Sequence, residues 1–327
     1  MSRLRVGLLG CGGIAARHAG AVAALADEMA LVACCGRDPA RTGRFAAEHG
    51  CAAFTDVDRM IDAGLDLMVA ALPPFAGRAE IARAAARGVH LLVEKPIALD
   101  EETARRLVAS VEASGVVAAV GFMYRFGDAV RRWQASDGGR VGLFAGSYHC
   151  NALHAPWWRE REKSGGQMVE QLIHLVDLVR LFMGEPSRVY ARAANLFHGD
   201  VPGYDAEDVA AIVFGWEDGR IAALNAGNIA IPGRWDKQWS LYAERMTGHF
   251  SDWNHAVLTP TAPPSTEERI AGGTDPFVAQ LADVAAAIRE RRSPTVPLRE
   301  GLLSLALALA ARRSADEGRE LRLGDGD

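Results

Sequence analysis

The sequence predicts an α/β fold: an N-terminal Rossmann-type doubly wound parallel sheet, then an α+β domain with a large, open, mainly antiparallel sheet. Three observations carry this. The first third alternates short apolar runs with Ala-rich helical stretches, as in a parallel sheet covered on both faces. A glycine turn, Gly10-Cys11-Gly12-Gly13, joins the first such run to the first helix. Beyond about residue 125 the strand-like segments alternate and carry hairpin signals.

Residues 5–10 (RVGLLG) read as a strand ending in glycine, 13–25 as a helix and 30–36 as a second strand. A helix at 39–50 has Gly50 past its end, and a short strand around 52–54 follows. Next come a short helix at 56–64, a buried strand at 65–72, a helix at 76–88 and a strand at 89–96. Acids open the helix at 100–115, where they suit the positive helix end, and a strand at 116–124 follows. In the second half, 208–227 reads as a hairpin turning at Asp218-Gly219. Residues 261–275 read as a loop, and 276–292 and 298–318 as helices that pack back on the body.

Composition excludes several classes. At 327 residues, 49% hydrophobic and 24% charged, the chain is of ordinary globular type and long enough for two domains. A net charge of −5 and the lack of a long basic run argue against nucleic acid and anionic membrane as partners. The longest apolar run, 302–311, is too short to span a bilayer. Residues 4–9 run directly into the glycine turn, so no signal peptide is expected. The five cysteines form no C-x-x-C pair, which fits a reducing cytoplasmic setting and signals neither disulfides nor zinc. The nine histidines are not spaced as metal ligands, and no metal is expected.

Gly10-Cys11-Gly12-Gly13-Ile14-Ala15 has the form G-x-G-x-x-A between strand and helix. The first glycine allows the tight turn, the second lets backbone approach a pyrophosphate, and the small third residue lets helix and strand pack closely. The diphosphate would sit on N–H groups at the helix start. At the end of the second strand an acid would suit the ribose 2′-hydroxyl of NAD, and a cation the 2′-phosphate of NADP. Gly36 stands at the acid position, followed by Arg37 and Asp38. NADP(H) is therefore favoured over NAD(H), with Asp38 keeping NAD(H) open.

Residues 164–186 read as one helix, with Ser164 and Gln167 in the form of a capping box and Gly184 and Pro186 as a stop. The helix is apolar around most of its circumference, yet Gln167, Glu170, Gln171, His174 and Asp177 recur at three- and four-residue spacing. Such a stripe is an internal hydrogen-bond network, a solvent face, or the wall of a polar pocket. In a pocket, Glu170 would orient His174, the side chain best poised for proton transfer near neutral pH. Lysine is scarce: of 36 basic residues only Lys95, Lys163 and Lys237 are lysines. Lys95 lies in "VEKPIAL" just after an apolar run, either by chance or because a compact, deprotonatable ammonium is needed there.

Four segments, "GLLGCGGIAARHAG", "EKP" at 94–96, "GFMYRF" at 121–126 and "SGGQMVEQLIHLVD" at 164–177, together resemble the glucose–fructose oxidoreductase / inositol dehydrogenase / rhizopine-catabolism (Gfo/Idh/MocA) family. The resemblance implies a dinucleotide-binding domain over 1–122 and a substrate-binding and oligomerisation domain over 123–327. It implies that Lys95 lies near nicotinamide and substrate, Glu94 on the cofactor side, and His174 as the proton-transfer residue. Gly10, Cys11, Gly12, Gly13, Ile14, Gly36, Arg37, Leu72, Pro73, Glu94, Lys95 and, ahead of the glycine helix, Trp158 and Arg159 are the expected cofactor contacts. Two departures stand out: Glu170 where the family usually has Asp, and Gly77 about where a histidine often falls after the proline of "ALPPFAG".

The expected activity is an NAD(P)-dependent oxidoreductase acting on a hydroxyl or carbonyl of a sugar, polyol or sugar derivative. His174, Lys95 and Glu170 are the catalytic set. Tyr124, Arg125, His154, Trp157, Gln171 and Asp177 are the pocket walls. Two alternatives keep the same residues: a lyase or glycosidase that retains its cofactor through a transient oxidation, and a non-catalytic NADP-binding sensor. A homodimer or homotetramer is expected from an exposed sheet face. His174→Ala should lower turnover by about 10²- to 10⁴-fold with cofactor affinity little changed; steady-state kinetics beside cofactor titration checks this, and undiminished turnover would refute the assignment.

Overall fold

The computed structural model describes residues 2–151, 153, 155–229 and 232–324. His154, an expected pocket residue, lies outside them. The chain forms two compact units, one running up to Met123 and including Asp275–Leu302, the other comprising Tyr124–Thr274 and the chain from Leu303 on.

The first unit contains β1 (Leu4–Leu9), α1 (Gly13–Ala24), β2 (Met29–Cys35), α2 (Pro39–His49), β3 (Ala52–Phe54), α3 (Val57–Asp62), β4 (Leu67–Ala70), α4 (Arg78–Ala86), β5 (His90–Val93), α5 (Glu101–Ala113) and β6 (Ala118–Val120). Its strands lie in the order β3-β2-β1-β4-β5-β6 and pair in parallel throughout. Val6, Leu8, Leu67, Val69 and Leu92 are fully buried, so the strands read as apolar runs with no polar face. The strand order reverses between β1 and β4, and ligands of such sheets bind at the carboxyl ends beside that reversal. Backbone bonds align that edge: Gly10 N–H to Cys35 O (2.8 Å), Ala71 to Leu9 (2.9 Å), Glu94 to Ala70 (2.9 Å) and Gly121 to Val93 (2.8 Å). Gly10, Ala71, Glu94 and Gly121 therefore stand in a row.

The second unit opens with a 3₁₀ turn at Met123–Phe126, then α6 (Asp128–Gln134), β7 (Val141–His149), α7 (Pro156–Arg159), α8 (Arg161–Ser164), α9 (Gly166–Glu170), α10 (Ile173–Met183), β8 (Arg188–Ala194), β9 (Val209–Gly215), β10 (Ile221–Gly227), β11 (Asp236–Ala243), β12 (Met246–Phe250), β13 (His255–Pro260) and β14 (Glu268–Ala271). The chain ends with α11 (Pro276–Glu290), α12 (Leu298–Glu317) and β15 (Leu321–Arg322). Nine strands run β14-β13-β12-β11-β7-β10-β9-β8-β15, with β7 and β10 parallel and the other neighbours antiparallel. On β9, Ala210, Ile212 and Phe214 are buried and Val213 is exposed, the alternation of a sheet covered on one face. α9 and α10 pack on that sheet. Leu143, Tyr190, Val213, Ile221 and Tyr242 are all exposed on the other face. The hairpin between β9 and β10 turns at Asp218-Gly219, where Gly219 has φ +88°.

α11 belongs to the first unit: it packs on α1, and Gln280 donates to the Val120 carbonyl at 2.8 Å. Two sequence expectations need correction. The strand read at 116–124 stops at Val120, and Met123–Phe126 turn as a 3₁₀ helix. The loop read at 261–275 contains β14, an edge strand that pairs through backbone with β13 while its Glu268 accepts from Arg132 at 2.7 Å. A charged edge gives no alternating signal.

Gly10 has φ +111°, and a Cβ there would lie 2.4 Å from the Ala71 carbonyl oxygen. Left-handed strain and overlap with backbone combine, so Gly10→Ala should destabilise the protein by roughly 2–4 kcal/mol. Urea unfolding measures it, and an unchanged midpoint would count against this packing.

Candidate active site

In the first unit the glycine turn sits on the aligned strand edge. Gly12 occupies the N-cap of α1 with extended backbone, and among the described residues no side chain caps the helix and no acid lies in its first turn. The helix start thus presents free N–H groups and a positive dipole end. A Cβ on Gly13 would meet nothing within 4 Å, so the cradle is open where a pyrophosphate would lie. Ile14 is exposed and Cys11 half-buried at the rim. These features fit a dinucleotide.

At the end of β2, a Cβ on Gly36 would come within 2.6 Å of Thr42 Oγ1 and 3.2 Å of Cys11 Sγ. An acid cannot occupy that position without displacing its neighbours. Asp38 instead caps α2, accepting from Ala40 N (2.9 Å) and Arg41 N (3.1 Å); the bond from Arg41 leads in holding its carboxyl below the usual range. Arg41, missed in the sequence, donates through Nε to the Cys11 carbonyl at 3.0 Å, placing a guanidinium against the glycine turn. Arg37 is exposed beside it.

Leu72 fills the space beside the turn. Its side chain is 3.3 Å from a Cβ built on Gly10 and 2.1 Å from one on Gly77. Gly77, with φ +83°, is where the histidine is missing, and Leu72 occupies the volume any side chain there would need. The Pro73 carbonyl accepts from Ala76 N–H at 3.1 Å and Arg78 at 3.2 Å. Arg78, its pKa pushed down to about 10 by burial, also donates to Ile97 O, tying this loop to the segment after Lys95. Glu94 is buried, and its Oε2 accepts from the Lys95 backbone N–H at 3.3 Å.

In the second unit the segment read as one helix is broken. Gly165 and Gly166 have φ +81° and +82°, ending α8 and starting α9. The capping box does not form. Ser164 Oγ bonds Glu160 O and accepts from Gly166 N, both at 3.0 Å. The buried Glu207 carboxylate takes the capping role, accepting from Met168 N at 3.1 Å. A Cβ on Gly166 would lie 2.2 Å from Glu207 Oε2, so glycine there makes room for the carboxylate. A second irregularity follows: the Leu172 N–H bonds to Gln167 O at 3.0 Å, five residues back. Such π-type bulges concentrate at functional sites, and this one resets the register between Glu170 and His174.

Gln167, Glu170, Gln171, His174 and Asp177 are all buried, which removes the solvent-face reading of the stripe. His174 stacks on Tyr124 with ring centroids 4.5 Å apart and planes 11° from parallel. Tyr124 hydrogen-bonds Tyr148, and burial, with Glu170 nearby, raises both phenols. Gln171 Nε2 reaches Cys150 Sγ at 2.6 Å, and Cys150 contacts Asn228 Oδ1 at 3.3 Å. Arg125 and Asp177 form a bidentate pair at 2.8 and 2.6 Å. Ser304 donates to Asp177 at 3.3 Å. With Asp177 only 1% exposed, this pair is a brace one turn below His174. Tyr148 and Cys150 are inward positions of an alternating strand and its continuation, a signal available from the sequence. Glu207 and Asn228 gave none.

Trp157, Trp158 and Arg159 lie on α7. Trp158 packs edge-on against Trp157 (5.6 Å) and Trp235 (5.5 Å). Arg159 Nε donates to Leu153 O at 2.9 Å, and the Arg159 carbonyl accepts from Asp205 and Ala206. Its guanidinium thus braces its own loop.

An open glycine cradle at the switch point of a doubly wound sheet defines the first unit as part of a dinucleotide-dependent oxidoreductase. The chain belongs to the Gfo/Idh/MocA family. Residues 4–122 match the domain described as "Oxidoreductase family, NAD-binding Rossmann fold", and residues 102–248 match the "GFO/IDH/MocA C-terminal domain". Inositol 2-dehydrogenase of Rhizobium meliloti (strain 1021) is 30% identical over 98% of this chain and 99% of its own. A 2,7-anhydro-N-acetylneuraminate hydratase of Mediterraneibacter gnavus is 27% identical over 58% of this chain and 53% of its own. A levoglucosan dehydrogenase solved with NADH and L-sorbose superposes with TM-score 0.91 over 99% of this chain and 100% of that one; at 18% identity this likeness is one of fold.

Burial raises the Glu207 carboxyl above its ordinary value near 4.5. The folded state therefore holds this proton more tightly than the unfolded chain, and the resulting stability, complete below about pH 4.5, is lost as pH rises through the folded pKa. Glu207→Gln keeps an acceptor for Met168 and removes the titration. The melting temperature of the variant relative to wild type should climb between pH 5 and pH 8; a difference independent of pH would contradict this.

Proposed function

We propose that this oxidoreductase is a dehydrogenase of a polyol, sugar or sugar derivative, with His174 as the proton-transfer residue and Lys95 as a second catalytic residue. The observation that carries the reading is the buried polar stripe from Gln167 to Asp177, with His174 stacked on Tyr124 just after a π-type bulge. Asp177 belongs to the Arg125 brace, while Gln167, Glu170, Gln171 and His174 are buried polar groups of the kind a polyhydroxylated ligand uses. The similarity to an inositol dehydrogenase over 98% of the chain supports the same class.

A bound nicotinamide supplies the hydride acceptor in oxidation and the donor in reduction. His174 takes the hydroxyl proton as general base and returns it in the reverse direction. Lys95, on the strand end beside the glycine cradle, supplies an ammonium that can donate to a substrate oxygen and stabilise developing charge. Glu170 sets the local potential at His174, Gln171 and Tyr124 line the ligand, and the Arg125–Asp177 pair braces the helix beneath. Trp157, Trp158 and Arg159 form a neighbouring wall.

Between the two cofactors we favour NADP(H). Gly36 leaves no room for the acid that grips a 2′-hydroxyl, Asp38 caps α2, and Arg37 and Arg41 supply cations for a 2′-phosphate. The exposed apolar sheet face supports a homodimer or homotetramer. No helix among the described residues is long and apolar enough to cross a membrane, and the five free thiols suit a reducing cytoplasm. A second reading, retention of the cofactor through a lyase or hydratase cycle, is favoured by the likeness to the hydratase.

The test is a screen of polyols and sugars with NAD⁺ and NADP⁺, following absorbance of the reduced nicotinamide. Dehydrogenation predicts one reduced cofactor per product; product without accumulated reduced cofactor would favour the second reading. Arg41→Ala should weaken NADPH binding by about tenfold or more and spare NADH. Equal losses for both would remove the preference for NADP(H).

A further inference from the structure

His18 lies on α1, six residues beyond the N-cap, in a stretch otherwise made of alanine, glycine, valine, one isoleucine and one arginine. It is 0% exposed. Its Nε2 is 2.7 Å from Glu94 Oε1, while its Nδ1 is buried with no hydrogen-bond partner. The Phe277 ring, contributed by α11, meets the imidazole edge-on at 5.2 Å, and Arg17 covers the same phenyl ring at 5.1 Å. A histidine held in an apolar wall with one nitrogen bare is destabilising by itself. What it gains is a single short bond to a carboxylate.

Glu94 is held from the other sides too. Its second oxygen accepts from the Lys95 backbone N–H at 3.3 Å. Gly121 lies so close that a Cβ there would fall 2.8 Å from Oε2 and 3.1 Å from Oε1. The carboxylate is thus enclosed by an imidazole, the backbone of a glycine and the amide of the residue proposed to act on substrate. His18 rides on the helix whose start forms the glycine cradle. One bond therefore joins the cofactor helix to the strand end carrying Lys95.

We propose that His18 is a positioning residue: by fixing Glu94 it sets the orientation of Lys95, so that seating of the dinucleotide on α1 and aiming of the lysine are mechanically linked. The proposal rests on the role assigned to Lys95 above. It does not require His18 to touch substrate or cofactor.

The test compares His18→Leu, His18→Gln and Gly121→Ala in the holoenzyme. Displacing a catalytic group by an ångström or less is expected to lower kcat by about 10- to 100-fold while KM and the NADPH dissociation constant stay within about threefold. Glutamine can still donate to Glu94 and should restore most of the rate. Gly121→Ala pushes the same carboxylate from the opposite side with His18 intact and should reproduce the loss, which keeps the test decisive if His18→Leu does not fold. The double variant His18→Leu/Glu94→Gln should be no slower than the slower single one, because both break one unit.

A second readout needs no turnover. Acetylation by acetic anhydride, followed by mass spectrometry, reports each lysine separately. In His18→Leu the Lys95 rate should change by about threefold or more, with Lys163 as the unchanged reference. Altered Lys95 labelling together with no oxidation of any polyol would leave the positioning role standing and overturn the dehydrogenase reading. Unchanged labelling, kcat within twofold of wild type, or His18→Gln as slow as His18→Leu would each overturn the positioning role.

Discussion

A carboxylate removed from water must find donors already fixed in place, or its burial costs several kcal/mol, and this requirement organises both units. Glu94 is matched by His18 and the Lys95 amide. Asp177 is matched by Arg125 and Ser304. Glu207 is matched by the amide of Met168. Each lies within a few residues, or one helical turn, of a segment carrying a proposed functional side chain. The carboxylates are thus scaffold, and apart from the adjacent Lys95 amide their partners come from elements distant in sequence.

Glycine does the complementary work. Gly121 and Gly166 each stand where a Cβ would strike a buried carboxylate, and Gly10 where it would strike a carbonyl. These are close approaches of backbone to a polar group, which only a residue without a side chain permits. At Gly36 a Cβ would instead meet two side chains, Thr42 Oγ1 and Cys11 Sγ. A close contact of this kind ties the starting point of α9 to a single hydrogen atom on Gly166.

The first unit was legible in the sequence because parallel strands are apolar on both faces and the glycine turn has a fixed place after the first of them. The polar stripe from Gln167 to Asp177 was legible through its spacing. What spacing could not reveal was how that stripe is interrupted. A capping box and an uninterrupted 3.6-residue period were the local expectation, but Glu207, 39 residues beyond Met168, took over the cap, and a bond from Leu172 to Gln167 shifted the register. His18 and Arg41 escaped notice for one reason: each acquires meaning from a partner remote in sequence. β14 escaped because an edge strand pairs through backbone and needs no apolar face.

The proposed reading stands on hydride passing from a substrate carbon to a bound nicotinamide while His174 takes the hydroxyl proton. Oxidation of a polyol carrying deuterium on the reacting carbon, with the reduced cofactor isolated and examined by mass spectrometry and proton NMR, tests this most directly. The account predicts one deuterium at nicotinamide C4 for each molecule of ketone or lactone formed. A reduced cofactor free of label, with the deuterium in solvent, would contradict it.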